Sequence, residues 1–474
     1  MKKPLFIGRD QHLAKLNKLF KRKSASLVVV RGRRRIGKSR LIDEFCKDHK
    51  TLRFTGLAPT EKTTKQNQRE EFARQLEEVL DFPGLRADDW GDLFSLLAKQ
   101  TRKGPIVIVF DEISWMGSLD PTFMGKLKIL WDTEFSKNPE LIFILCGSVS
   151  SWIEKNIISS TSFFGRICQK IQLEELTLHE CNELLNANQF KGSVLEKLML
   201  LGITGGVPWY LELIDPELSA DENIKELCFK KDGILFDEFR RIFHDLFGKR
   251  SHIYQKIVRI IADGPCEYKE IAAKLNYPSG GPLSDYLNDL VLSGYVEKNH
   301  TWSIKTGRES KLFHYRLCDH YLRFYLKYIE PNRNQVEKNR FITSVISSLP
   351  GWGAMMGFQF ENLVLHNRNL VLKELKIDYA DIIYDNPFFQ RKTSKQSGCQ
   401  IDYLIQTRYN TLYVCEIKFS KNPVSPKVFS EIKEKITRIQ VPKGFSCIPV
   451  LIHINGCSES LEGIRTVDFG DLVV

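Results

Sequence analysis

The sequence predicts a multidomain α/β protein, and three stretches carry that prediction. In Leu27–Leu41, LVVVRGRRRIGKSRL, four apolar β-formers run into a basic loop bounded by glycines and then into a helix-like run. In Pro105–Glu112, PIVIVFDE, a second apolar run ends in two acids. In Gln400–Phe419 two strand-like runs flank a short polar turn and carry Asp402, Glu416 and Lys418. Strand and helix signals alternating in this way specify a mostly parallel sheet covered by helices.

Bulk properties set the bounds. A chain of 474 residues is long enough for about three domains. Its 42% hydrophobic and 27% charged residues are ordinary for a globular protein. Lys and Arg number 69 against 58 Asp and Glu, a net charge of +11 spread along the chain rather than held in one tail. That excess suits either an acidic partner such as nucleic acid or a well-solvated basic surface. The 11 cysteines show no C-x-x-C pair and no metal-like spacing, which predicts reduced core thiols in a cytoplasmic protein. The start, MKKPLFIGRD, has no apolar core of a signal peptide. No apolar run approaches the roughly eighteen residues of a membrane helix, so no membrane role is expected.

The first domain is expected over residues 1–175. Phe6-Ile-Gly-Arg9-Asp10 leads into an amphipathic helix with Leu13, Leu16, Leu19 and Phe20 on one face. Then Gly32-Arg33-Arg34-Arg35-Ile36-Gly37-Lys38-Ser39 fits G-x-x-x-x-G-K-[ST] residue for residue. Such a P-loop turns successive N–H groups inward around a phosphate, and Gly32 and Gly37 are expected to supply backbone dihedrals closed to other residues. Lys38 is placed to reach the β- and γ-phosphates, Ser39 to put its hydroxyl on Mg2+, and Ser39–Cys46, including Arg40, to form a helix aimed at the anion. Leu52–Leu57 is a short strand, Thr60–Arg69 a polar stretch, and Phe72, Leu76 and Val79 mark a helix. Ile106–Phe110 reads as a buried parallel strand that delivers carboxylates at its C-terminal edge, where ligands of α/β sheets sit. Asp111 is the expected Mg2+ carboxylate, and Glu112 is expected to polarise the attacking water. A further strand, Leu141–Cys146, ends in Gly147-Ser148, where Ser148 is either a γ-phosphate sensor or a helix cap. Arg166, just before the strand-like Gln169–Leu173, is either a charge-stabilising finger, in cis or in trans, or a surface cation.

These segments, from FIGRD through GRRRIGKSRL, VFDEIS, ILCGSVSSW and FFGR to TGGVPWYLEL, resemble the archaeal-type prokaryotic ATPase family, close to the signal-transducing branch of the AAA+ class. The resemblance extends over essentially the whole chain. It implies Mg2+-ATP as the ligand, with Arg9 near the nucleotide base and with Gly206 and Pro208 approaching the nucleotide from a helical lid.

Residues 176–248 have a helical pattern interrupted at Gly205-Gly206-Val207-Pro208, which suits such a lid. Residues 249–330 read as three helices, Ile253–Ala262, Glu267–Asn276 and Pro282–Ser293, followed by two wing strands near Gly294–Lys298 and Thr301–Lys305. Helix–turn–helix with a wing is a DNA-binding plan. The third helix carries Ser284, Asp285, Asn288 and Asp289 but no Arg or Lys, which favours a structural winged helix packed on the ATPase over a sequence reader. The aromatic and basic segment Lys311–Leu326 reads as a packed helix, with nucleic-acid contact as the alternative.

Residues 331–474 form the last domain, its α/β pattern resuming at about Phe341. Ile401–Ile405 and Leu412–Phe419 read as a hairpin symmetric about Tyr409, which sets Asp402 opposite Glu416 with Lys418 on the same face. Like charges directly opposite weaken a sheet unless a cation lies between them. Asp…Glu-x-Lys on paired strands resembles the PD-(D/E)xK restriction-endonuclease-like fold, although Ile401 stands where a proline is usual. That resemblance implies Mg2+ on Asp402 and Glu416, Lys418 acting on water, and Glu361 as an additional acid.

The expected function is ATP hydrolysis coupled to a nuclease-like domain. Two alternatives remain open from sequence: a nucleotide-gated DNA nuclease, and a non-catalytic regulator whose nucleotide occupancy controls DNA or partner binding. ATP is the expected ligand, and DNA and a second copy of the chain are the partners left open.

Overall fold

The computed structural model describes residues 6–472 except 61, 279, 395 and 459–462. The chain divides into two compact units, Met1–Glu175 and Leu176–Val474.

The first unit is built on five parallel strands: β1 (Ser26–Gly32), β2 (Thr51–Thr55), β3 (Ile106–Asp111), β4 (Leu141–Ser148) and β5 (Ile167–Leu173). Their order across the sheet is β2-β3-β4-β1-β5. The apolar runs predicted as buried strands are buried on both faces, and their two-residue period sorts them. Leu27, Val29, Ile106, Ile108 and Phe110 enter one core with the aromatic cluster of Phe54, Phe72, Trp90 and Phe94. Val28, Val30, Val107 and Val109 enter the other with Leu41, Ile42 and Phe45. The strand pairing is in register from Ser26↔Ile142 to Gly32↔Ser148, which brings the end of β1 beside the end of β4.

Several boundaries differ from the sequence expectation for local reasons. The polar stretch expected over Thr60–Arg69 becomes helix from Lys65, because Thr64 and Asn67 form a reciprocal capping box. The helix after the glycine-rich loop starts one residue earlier than predicted, at Lys38. Helices Trp90–Gln100 and Phe123–Thr133, which the sequence reading does not assign, cover one face of the sheet.

The second unit opens with helices Leu178–Ala187, Val194–Thr204, Pro208–Glu212, Ala220–Cys228 and Glu238–Phe247. Gly205, at φ 57°, ends the second of these, and Pro208 occupies the first turn of the third. Helices Ser251–Ala262, Tyr268–Leu275 and Gly281–Leu292 follow, then an antiparallel ribbon of β6 (Val296–Ser303) and β7 (Arg308–Leu317). The ribbon corrects the expected wing. Both predicted strands lie largely within β6, and the second strand is the start of the segment read as an aromatic helix; helix begins only at His320. Within its unit the ribbon is docked on the C-terminal sheet. Trp302 packs with Phe388 and Ile401, and its indole N–H donates to Gln406 at 2.6 Å.

That second sheet has the order β12-β11-β10-β9-β8. It consists of β8 (Ile382–Gln390), β9 (Cys399–Thr407), β10 (Thr411–Ile417), β11 (Ser446–His453) and β12 (Arg465–Asp468). The β8–β9 and β9–β10 pairs are antiparallel, and β10–β11 and β11–β12 are parallel. The hairpin turn is the predicted one: Asn410, at φ 56°, closes it, and Cys415 pairs with Tyr403 as symmetry about Tyr409 requires. Most of the 11 cysteines are buried. Among the described residues, no helix is long and apolar enough to cross a membrane.

Candidate functional site

The glycine-rich loop leaves β1 at Gly32. This glycine is not at positive φ, which corrects the dihedral argument for it. A Cβ there would lie 2.7 Å from the Leu173 carbonyl and 2.8 Å from Ile36 Cγ2, so close approach of β5 and the loop is what requires glycine. The left-handed positions of the loop are Arg35, at φ 66°, and Gly37, at φ 88°. Ile36 is fully buried and anchors the loop to the core. Arg33 pairs with Glu175 at 2.6 Å, and Arg34 faces Glu112 closely enough for its charge to favour the carboxylate. Arg40 lies in the first turn of the helix that follows.

Three predicted residues converge at the strand ends. Lys38 Nζ donates to the carbonyls of Gly32 and Arg33, each at 3.1 Å, and to Ser148 Oγ at 3.4 Å. The Ser148 N–H donates in turn to Glu112 Oε2 at 3.4 Å. Ser148 therefore stands between the motif lysine and the second acid. It is not the cap of the next helix, since Ser150 accepts from the Ile153 N–H there. On the other side, Ser39 Oγ donates to Asp111 Oδ2 at 3.2 Å. A hydroxyl and a carboxylate so close together, beside the loop, form an all-oxygen pair of the kind a hard divalent cation takes. The residues present fit Mg2+.

Glu112 sits at φ 50°, a left-handed conformation uncommon for a residue with a side chain. Burial pushes its carboxyl above the usual carboxylate range, opposed by the Lys38 charge. A carboxylate held with raised basicity at a strand end is suited to accept a proton from water.

Arg9 and Arg166 occupy places the sequence does not specify. Arg9 is buried and donates to the carbonyls of Glu174 at 2.6 Å and Ile36 at 3.3 Å, tying the loop to the end of the first unit. Arg166 forms a two-pronged pair with Asp132, at 2.6 and 2.8 Å, and donates to the Ser162 carbonyl. Gly206 and Pro208 lie in the second unit, where the Gly206 carbonyl accepts from the Leu176 N–H. Arg53 on β2, unassigned in the sequence, approaches Asp111 Oδ2 at 3.5 Å and also pairs with Asp43.

The C-terminal sheet brings its predicted acids together. Asp402 lies one residue beyond the paired Tyr403, its Oδ2 accepts from the Ile417 N–H, two residues beyond Cys415, at 2.9 Å, and Glu416 is buried. Lys418 reaches Glu416 Oε1 at 2.8 Å, as the two-residue spacing predicts. Glu361, on helix Trp352–His366, has its carboxyl pushed up to about 8 by burial and then by the Asp402 charge. Burial first, then Glu416, raises Asp402 to about 6. The residue missed in the sequence is Lys435, on helix Lys427–Arg438, which contacts both Asp402 and Glu416. Its charge-rich helix reads as a solvated surface, so no local signal marks it. Among the described residues, no three His, Cys, Asp or Glu side chains are grouped to hold a metal.

The five-stranded parallel sheet, with the glycine-rich loop at the end of one central strand and an acid pair at the end of another, is typical of P-loop ATPases. Residues 6–214 match a family described as an ATPase domain found predominantly in Archaea. An uncharacterized protein of Methanocaldococcus jannaschii is 24% identical over 366 residues, which cover 76% of each chain. Among solved structures, the Walker-type ATPase PABY2304 of Pyrococcus abyssi is 16% identical, with a TM-score of 0.49 over 68% of this chain and 96% of its own. The Aeropyrum pernix ORC2 protein, solved as ADPNP–ADP complexes, is 14% identical, with a TM-score of 0.40 over 71% of this chain and 96% of its own.

Proposed function

We propose that the chain is a Mg2+-dependent ATPase of the AAA+ type that hydrolyses ATP to ADP and phosphate, coupled to a nuclease-like C-terminal domain. The observation that carries this reading is the chain of contacts from Lys38 through Ser148 to Glu112, beside the Ser39–Asp111 pair. Loop N–H groups and Lys38 bind the phosphates, and Lys38 gives up its bonds to the Gly32 and Arg33 carbonyls to do so. Ser39 and Asp111 hold the cation, which supplies charge neutralisation at the phosphate oxygens. Glu112 orients water and accepts its proton, and Ser148 reports the γ-phosphate. Arg9 lies near the base, Gly206 and Pro208 belong to a lid over residues 176–248, and Arg166 acts as a finger once released from Asp132. Residues 249–330 form a structural winged helix.

The test is ATP turnover by the full chain, its Lys38→Ala and Glu112→Gln variants, and a Mg2+-free control. Turnover near wild type in both variants would falsify the assignment.

A second reading is favoured by the placement of Asp402, Glu416 and Lys418: a nuclease-like site in residues 331–474, gated by nucleotide, with DNA as substrate. Cleavage of DNA by the wild type that is lost in Lys418→Ala, with ATP turnover unchanged, would establish it.

A further inference from the structure

The acid pair of the C-terminal sheet already holds a cation of its own chain. Lys435 Nζ lies 3.7 Å from Asp402 Oδ1 and makes a closer contact with Glu416 Oε2, so one ammonium bridges both carboxylates. The other two oxygens are also engaged: Asp402 Oδ2 by the Ile417 N–H and Glu416 Oε1 by Lys418. Two negative charges face two positive ones, and each carboxylate oxygen has a donor or counter-charge. In this arrangement the residues do not fit an added divalent cation. Lys435 and Lys418 offset part of the repulsion between Asp402 and Glu416, which, second to burial, still raises the Asp402 carboxyl.

We infer that Lys435 is an intrinsic counter-ion standing in place of a divalent cation on Asp402 and Glu416, and that metal binds this pair only by displacing it. This rests on the reading of the pair as a nuclease-like site. The asymmetry of burial supports it. The Glu416 side chain is 4% exposed and cannot leave, whereas that of Lys435 is 26% exposed on a flexible four-carbon stem. A buried ionised carboxylate is costly without a counter-charge, so exchanging one cation for another keeps the pair compensated. Space for the exchange is present: Lys435 and Asp402 line a 570 Å³ cavity together with Arg391, Arg438, His314 and Phe389. An ammonium withdrawn from the pair can move into it without crossing the core.

The experiment is calorimetric titration of Mn2+ into the nucleotide-free full chain, comparing wild type, Lys435→Met, Lys435→Arg and the double variant Asp402→Asn/Lys435→Met. Lys435→Met is expected to bind Mn2+ at least about tenfold more tightly than wild type. The double variant should lose that site, and Lys435→Arg, which keeps the charge, should follow wild type. Thermal melting gives a second readout: Mn2+ should raise the melting temperature of Lys435→Met and leave the double variant unmoved. Lys435→Gln serves the same comparison if the methionine variant does not fold. Equal affinity in wild type and Lys435→Met overturns the inference while leaving the metal-site reading intact. An equal gain in Lys435→Arg also overturns it, since charge would then not be the cause. Binding by neither removes the metal-site reading and the inference together.

Discussion

At the scale of single residues, the first unit places lysine, serine and two acids at adjoining strand ends, and each has a separable effect. Lys38→Ala removes the only side-chain ammonium of the glycine-rich loop motif, so ATP binding should weaken and hydrolysis should vanish. Glu112→Gln keeps the shape and the Ser148 contact but not the basicity. Nucleotide affinity should stay within a few-fold of wild type while kcat falls by about 10²-fold or more, as seen by equilibrium binding beside steady-state turnover. Arg166 and Asp132 allow a test in pH. Hydrogen bonding to Arg166 holds the Asp132 carboxyl down at about 2, below its ordinary value of 3.8. A depressed acid contributes stability that is present above its unfolded value and lost as pH falls through its folded one. Asp132→Asn should therefore melt lower than wild type near neutrality, by at most about 1 kcal/mol for so exposed a pair, and the gap should close between pH 4 and 2. A gap unchanged across that range would show that Asp132 acts through packing rather than charge.

At the scale of elements, legibility followed the distance over which each signal is written. The glycine-rich loop is contiguous, so its residues could be assigned from sequence, although the reason for Gly32 lies in β5, far along the chain. The β9–β10 hairpin was legible because a three-residue turn fixes register, and register fixes which side chains share a face. Lys435 was not legible, because its helix meets the acids only through tertiary packing. The β7 strand was misread since aromatic residues fall at spacings compatible with either period, and what decides is the partner strand β6. The same ribbon yields a stability prediction. Trp302 is buried in the C-terminal core and satisfies its indole N–H on Gln406. Trp302→Ala should destabilise the second unit by roughly 3–5 kcal/mol, measured by chemical denaturation of the full chain. A loss below about 1 kcal/mol would mean that the ribbon docks only loosely.

At the scale of the whole molecule, the question is what a net charge of +11 is for. A helix–ribbon arrangement in a basic protein invites a DNA-reading role, but two observations argue against placing it in residues 249–330. Helix Gly281–Leu292 carries no Lys or Arg, and its Asp289 accepts a 2.5 Å hydrogen bond from Tyr254, so this acid is built into the fold. The ribbon is spent as well: Thr301 donates to the Phe389 carbonyl and Trp302 is buried, leaving that part of β6 unable to enter a groove. Phosphate contacts supply most of non-specific affinity, each steepening its dependence on salt. The full chain should therefore bind duplex DNA only weakly at physiological salt, with a dissociation constant of about 10⁻⁶ M or weaker and little preference for sequence. Charge reversal on the third helix, Asp285→Lys, should change that affinity by less than about threefold, because the helix does not face the phosphates. Titration of labelled duplexes across a salt series checks both statements. Nanomolar, sequence-selective binding that Asp285→Lys alters strongly would make this helix a reader after all, and would move the regulator reading ahead of the coupled ATPase.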